Sequence, residues 1–239
     1  MGKGMAGAVW VGLLLFCVLG TASATGQAAG GQKAPESRLE RIEWTWTDHS
    51  DTLDPKLPNV LFIGDSITRG YFPAVAKRLA GVANAYLYAT SCSSGDPRLV
   101  VQLHTYFETG PKFSVIQFNN GMHGWDYSEE EYAAGLPAMV RVLREEHPES
   151  ALIWATTTPV AVVNGIGGKN SRIDARNASA LKLMKEERIP VDDQHELMLH
   201  HQDLYLDGGH FNDAGAAVQA DQASALIRAI LESAKKKAS

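Results

Sequence analysis

Three short segments hold side chains that could act together on a carbonyl: Gly64-Asp65-Ser66, Asn119-Asn120-Gly121 and Asp207-Gly208-Gly209-His210. A serine hydroxyl attacks a carbonyl at neutral pH only when a neighbouring base takes its proton, and that base needs a third group to hold its orientation. Ser66, His210 and Asp207 are the candidate nucleophile, base and orienting carboxylate. Two residues between Asp207 and His210 let one tight turn present both side chains on the same rim. The middle segment, Asn119-Asn120-Gly121, adds an amide donor. Taken singly, each segment has a plainer reading. Gly-Asp-Ser is an ordinary turn whose Asp or Ser caps a helix. Asn-Asn-Gly suits a turn needing positive φ, and Asp-Gly-Gly-His a surface turn with two permissive glycines.

Their positions along the chain give them weight together. Val60–Ile63 is a short apolar run ended by Gly-Asp-Ser, and Pro73–Leu79 follows with helical spacing. Ala85–Ala89 repeats the strand pattern, Leu99–Phe107 can be a helix, and Val115–Phe118 is a third strand. Ser128 with Glu131 forms a capping box that opens a helix to about Glu146, in which Pro137 implies a kink or a break. Ala151–Ala155 is the fourth strand, a Gly/Asn-rich loop spans Asn164–Ser171, and a helix covers Ala175–Glu187. Ile189–Val191 is a weaker fifth strand, since Pro190 sits badly in its middle, and Ala214–Ser233 is the last helix. This alternation predicts an α/β three-layer sandwich around a central, mostly parallel five-stranded sheet. Ligands bind such sheets beyond the carboxyl ends of the strands. Ser66 follows strand one, Gly95 lies in the loop after strand two, and Asn119 follows strand three.

The chain opens on Lys3 and an apolar stretch to Gly20 that ends at Ala22-Ser23-Ala24, the pattern of a cleavable export signal over residues 1–24. The apolar core is short for a membrane span, so no stable membrane insertion is expected once the signal is removed, and a secreted or periplasmic location follows. An uncleaved N-terminal anchor is the rival reading. Residues 25–42 read as a flexible leader and residues 43–239 as one domain. Trp44, Trp46 and the Asp/Pro-rich stretch to Pro58 read as an ordered lead-in on its surface. Loss of the signal removes one of 22 basic residues and none of 27 acidic ones, leaving 21 against 27, or −6. That mild acidity gives no reason to expect a nucleic acid partner. With Cys17 in the signal, Cys92 is alone, and it reads as a small packed residue.

At this point the residues resemble the SGNH, or GDSL-type, hydrolase superfamily. Val60 to Thr68 is similar to its first block, which carries the nucleophilic serine, and Asp207 to Phe211 to its last, which supplies orienter and base. Ser93-Ser94-Gly95-Asp96 resembles the loop whose glycine offers a backbone N–H. The family's third block usually reads Gly-x-Asn-Asp, whereas Gln117 to His123 stands here in its place. A branch with a Phe-Asn-x-Gly-x-His string aligns the amide donor with Asn119, and Asn120 is one register step away. The resemblance implies a flavodoxin-like fold and an oxyanion hole of Ser66, Gly95 and Asn119, with Ser94 as the alternative to Gly95. It also implies ester hydrolysis through an acyl-enzyme, with neither cofactor nor metal. The expected substrate is a small-molecule or glycan ester. Short acyl groups, acetyl above all, suit an exported domain that has no long apolar lid between its strands.

Two other classes stay open. One is a metal-dependent phosphoesterase using Asp65, Asp207 and His210 as ligands, and the other a non-catalytic carbohydrate-binding protein on the same fold. His123 divides evenly between a substrate contact and a structural histidine. His200, His201 and Asp203 look like a metal cluster, but adjacent histidines at a helix end usually point apart. Arg69 could approach the mouth of the site.

Overall fold

The structure, a computed structural model, describes residues 1–2, 36–161 and 169–238. The chain divides into two compact units, Met1–Ala34 and Pro35–Ser239, and of the first only residues 1 and 2 are described. The predicted signal, the start of the leader and most of the Asn164–Ser171 loop therefore lie outside the described residues. Among the described residues no helix is long and apolar enough to cross a membrane.

The second unit is built on a sheet in the order β1-β3-β2-β4-β5-β6. Its parallel part comprises β2 (Asn59–Gly64), β3 (Asn84–Thr90), β4 (Val115–Phe118), β5 (Ala151–Ala155) and β6 (Val191–Asp192). The sheet has six strands where five were expected. The sixth, β1 (Thr45–His49), pairs antiparallel with the edge of β3, from Thr45 opposite Thr90 to His49 opposite Tyr86. All five of its residues are exposed, so it lacks the in-out alternation that announces a strand and is held by its backbone ladder. At the other edge, β6 starts after Pro190, which spares the ladder a residue without an N–H.

Strand alternation divides the core. Leu61 and Ile63 of β2 face one layer, with α2 (Arg98–Thr109), α3 (Glu129–Glu146) and α4 (Asn170–Glu186). Val60 and Phe62 face the other, with α1 (Ser66–Leu79) and α6 (Asp213–Ala238). The capping box forms as the sequence predicts: Ser128 Oγ accepts from Glu131 N, and the Glu131 carboxylate accepts from Ser128 N. Helix α3 is not broken at Pro137 but continues through it. A short α5 (Gln194–Leu199), which ends at the histidine pair read as a helix end, precedes the turn that carries His210.

Residues 36–42, expected within the flexible leader, form a strap tied to this unit. Ser37 Oγ donates to Asp96 Oδ2 at 3.0 Å, Arg38 N to the Tyr127 hydroxyl at 2.6 Å, and the Arg38 guanidinium pairs with Glu131. The anchors are polar partners far along the chain, which a composition rich in small residues does not reveal.

Candidate active site

Strand β2 and its register deliver Ser66. Gly64, the last residue of β2, lies level with Ala89 of β3, and a Cβ added to it would sit 2.0 Å from Thr68 Oγ1. Only glycine lets the chain turn this closely into α1. Asp65 caps that helix, its buried Oδ1 accepting from Ile67 N at 2.9 Å. Ser66 is then the first helical residue, and its N–H has no acceptor within the helix.

The Asp207–His210 turn comes from the opposite end of the chain. The Leu206 N–H donates to the His210 carbonyl at 2.8 Å, Tyr205 bridges to Phe211, and the Tyr205 and Phe211 rings stack with centroids 4.7 Å apart. The Tyr205 hydroxyl fastens the turn to the segment that follows β5 by donating to the Pro159 carbonyl at 2.9 Å. His210 Nε2 is thereby brought to 2.8 Å from Ser66 Oγ, while its Nδ1 lies 2.9 and 3.1 Å from the two Asp207 oxygens. Burial alone would raise the Asp207 carboxyl. The N–H groups of Gly209 and His210, each 2.8 Å from Oδ1, and the imidazole outweigh it and hold the carboxyl at about 2. An ionised Asp207 fixes Nδ1 as the protonated nitrogen, which leaves Nε2 free to accept the serine proton.

Ser66 and His210 open onto a cavity of about 420 Å3, lined also by Glu40, Met122, His123 and Trp125. This lies toward the small end of the ~300–1,000 Å3 typical of small-molecule sites. Gly95 and Asn119, expected in the oxyanion hole, do not line it. Gly95 N is directed at Ser93 Oγ, 3.3 Å away in its own loop, and Gly95 packs against the Tyr127 ring. The two amide hydrogens of Asn119 go to the Ala155 carbonyl at 2.7 Å and Thr157 Oγ1 at 3.0 Å, and its Oδ1 accepts from Gly121 N at 3.1 Å. Asn119 thus braces the exit of β4 against that of β5. Asn120 donates to the Cys92 carbonyl at 2.5 Å, and Ser94 is buried under α3. Burial pushes the Cys92 thiol up to about 12, so it stays protonated.

His123 and Glu40 face each other at this cavity, His123 Nδ1 lying 2.9 Å from Glu40 Oε2. Glu40 was hidden from the sequence reading inside a stretch without pattern. Arg69 stacks its guanidinium 3.8 Å over the Trp46 ring on β1. Among the described residues, no three His, Cys, Asp or Glu side chains are grouped so as to hold a metal ion. His200 is engaged by Glu196 at 3.1 Å.

Comparisons with known proteins agree with this fold. Residues 62–218 match the profile of the GDSL-like Lipase/Acylhydrolase family. A search of curated proteins gives no match. Among solved structures, an aryl esterase of M. smegmatis is similar at 14% identity and a TM-score of 0.60, covering 72% of this chain and 99% of its own. A carbohydrate acetylesterase from Sinorhizobium meliloti gives the same four values. A carbohydrate esterase family 3 protein from Talaromyces cellulolyticus is 15% identical with a TM-score of 0.57, covering 74% of this chain and 99% of its own.

Proposed function

This chain belongs to the GDSL-like lipase/acylhydrolase family and is a carboxylic ester hydrolase, and from that premise we propose that Ser66, His210 and Asp207 are its nucleophile, base and orienting carboxylate. The observation that carries the reading is the unbroken line from Asp207 through the His210 ring to Ser66 Oγ, with contacts of 2.9 and 2.8 Å. His210 takes the proton as Ser66 Oγ bonds to the ester carbonyl carbon. The carbonyl electron pair moves onto oxygen, beside the Ser66 N–H, which has no acceptor within α1. Collapse expels the alcohol, which takes the proton from His210, and water repeats the sequence to release the acid. The phosphoesterase alternative is less well supported, because Asp65 serves as the α1 cap while Asp207 is committed to His210.

We assign a preference for short acyl groups, acetyl foremost, carried on a carbohydrate by an exported enzyme. The modest volume of the cavity and the partly buried Trp125 in its wall support this. Two of the similar structures are carbohydrate esterases by name, which agrees with it. The test is acyl-chain profiling on p-nitrophenyl esters, followed by acetate release from acetylated glycans, with a serine-directed phosphonate as active-site label. Ser66→Ala is expected to lose both turnover and label. Faster cleavage of octanoyl than of acetyl esters would end the short-chain assignment, and an unaltered Ser66→Ala enzyme would end the serine mechanism.

A further inference from the structure

We propose that His123 is a catalytic residue of this enzyme, its imidazolium donating from Nε2 to the oxyanion while Glu40 holds the ring, the task the sequence reading gave to Asn119; this rests on the serine esterase reading above.

The first ground is a vacancy among the donors. Asn119 has spent its amide hydrogens on Ala155 and Thr157, and neither it nor Gly95 reaches the cavity that Ser66 lines. Asn120, the alternative, donates to the Cys92 carbonyl and does not line the cavity either, so among the expected donors Ser66 is the one that lines it. Acyl transfer needs more than one hydrogen bond at the developing charge, since removing a single donor typically costs ~10²–10³ in kcat.

The second ground is an orphaned atom. His123 lines the same cavity as Ser66 and His210, and its Nε2 is shielded from solvent and has no hydrogen-bond partner among the described residues. Buried polar atoms are almost always paired. The ring cannot easily turn away to find another partner. Its Nδ1 is held by Glu40, the Trp44 ring packs edge-on at 5.6 Å, and its carbonyl accepts from Arg176 at 2.7 Å. A group arriving with the substrate beside Ser66 would complete it.

Protonation decides whether Nε2 can donate. Burial would raise the Glu40 carboxyl, but hydrogen bonds from His123 and Gly124 N more than offset this and hold it below the usual range. An ionised Glu40 requires the proton on Nδ1, so Nε2 carries one only in the imidazolium. Burial opposes that charge on His123. The Glu40 hydrogen bond and the negative charges of Asp65, Glu40 and Glu43 prevail, and the imidazole sits above its ordinary value. Arg41 and Asp126 also line the cavity, as does His210, and Arg176 reaches His123 through the backbone carbonyl. In the reaction His123 keeps its proton throughout: the serine proton goes to His210, and the carbonyl oxygen gains charge beside a fixed cation.

Turnover then needs a neutral His210 and a charged His123, so kcat falls on the alkaline side as His123 deprotonates. The experiment compares the full chain with His123→Ala, His123→Gln, Glu40→Gln and Ser66→Ala on p-nitrophenyl acetate across pH, with phosphonate labelling and thermal melts. His123→Ala is expected to lose ~10²–10³-fold in kcat with KM nearly unchanged. His123→Gln, a neutral donor, should regain part of this and lack the alkaline decline. Glu40→Gln keeps an acceptor but removes the charge, and should move that decline to lower pH. A kcat for His123→Ala within about threefold of wild type, far from the loss expected for a missing donor, overturns the inference. So does an alkaline limb unmoved in Glu40→Gln, a readout that stands even where the His123 variants fail to fold. Ser66→Ala separates the two levels. Its inactivity beside a fully active His123→Ala overturns the His123 role alone, while an active Ser66→Ala overturns both.

Discussion

Arg176 of α4 holds His123 by its main chain: the guanidinium Nη1 donates to the carbonyls of His123 and Gly121 at 2.7 and 2.9 Å, and Nη2 to that of Gly124 at 2.8 Å. The side chain is fully buried and lies over the rings of Trp125 and Tyr132, with Glu129 as its nearest carboxylate at 3.5 Å. Burial lowers the guanidinium pKa, yet four carbonyls, the fourth that of Tyr127 at 3.4 Å, and two ring faces keep the group in place. A lysine retains the charge but cannot span carbonyls set this far apart. Arg176→Lys is therefore expected to lose about 2–4 kcal/mol of stability through carbonyls left unpaired. It should also lose kcat as the His123 loop loosens. Urea denaturation and ester turnover check this, and a wild-type unfolding midpoint would show that the guanidinium does not hold the loop.

The same loop shows why the site was only partly legible in the sequence. Ser66, Asp207 and His210 occupy short segments whose residue types carry their own chemistry, and the strand pattern around Val60 shows which end of the sheet they reach. Asn119 looked equally suitable, but a side-chain amide serves structure as readily as catalysis, and its partners Ala155 and Thr157 are visible only in three dimensions. Glu40 sits in a stretch with neither period nor motif. Strand β1 was missed for a related reason: its ladder is made of backbone groups and its side chains are all exposed, so no alternation marks it. The buried strands β2 to β5 could be read because burial dictates composition.

Gly135 tests how tightly α3 carries the loop after β3. A Cβ built there would sit 1.7 Å from the Ser94 carbonyl oxygen. Within a helix, Gly to Ala is ordinarily favourable by up to about 1 kcal/mol. Here the obstacle is backbone, which cannot swing aside, and overpacking of this kind costs about 1–3 kcal/mol. The clash is expected to win, so Gly135→Ala should lower the melting temperature. A rise would show that the Ser94 loop yields freely.

Asp207 should matter in two ways. Asp207→Asn removes the charge that fixes the His210 tautomer, and kcat is expected to fall ~10⁴-fold with little change in KM. The carboxyl is held at about 2, below its unfolded value near 3.9. Its contribution to stability is thus complete above the unfolded value and lost as pH falls toward about 2. Because the side chain is half exposed, solvent screening keeps this effect small. The stability difference between wild type and Asp207→Asn should be constant above about pH 4 and close as pH falls further, since both forms are neutral at the acid extreme. A difference that changes near neutral pH would point to another group.

His147 gives a pH effect at milder acidity, remote from the site. Its ring lies edge-on to Phe107 at 4.5 Å and beside Phe113 at 5.2 Å, and neither ring nitrogen has a hydrogen-bond partner among the described residues. Burial first, and the nearby Lys112 charge second, hold its pKa below the ordinary imidazole value. Below about pH 6.5 the unfolded chain therefore takes up a proton that the folded chain refuses. The stabilising effect of a neutral His147 is complete above that pH and declines as the solution becomes more acidic, at no more than about 1.4 kcal/mol per pH unit. His123, displaced in the opposite direction, loses its contribution as pH rises, so wild type alone shows a blend of the two. His147→Phe separates them. At neutral pH it removes two orphaned nitrogens from an aromatic pocket and should change stability by less than about 1.5 kcal/mol. Between pH 7.5 and 5.5 it should lose less stability than wild type, as read from urea midpoints. Parallel pH dependence in the two proteins would mean that His147 takes up its proton as readily folded as unfolded.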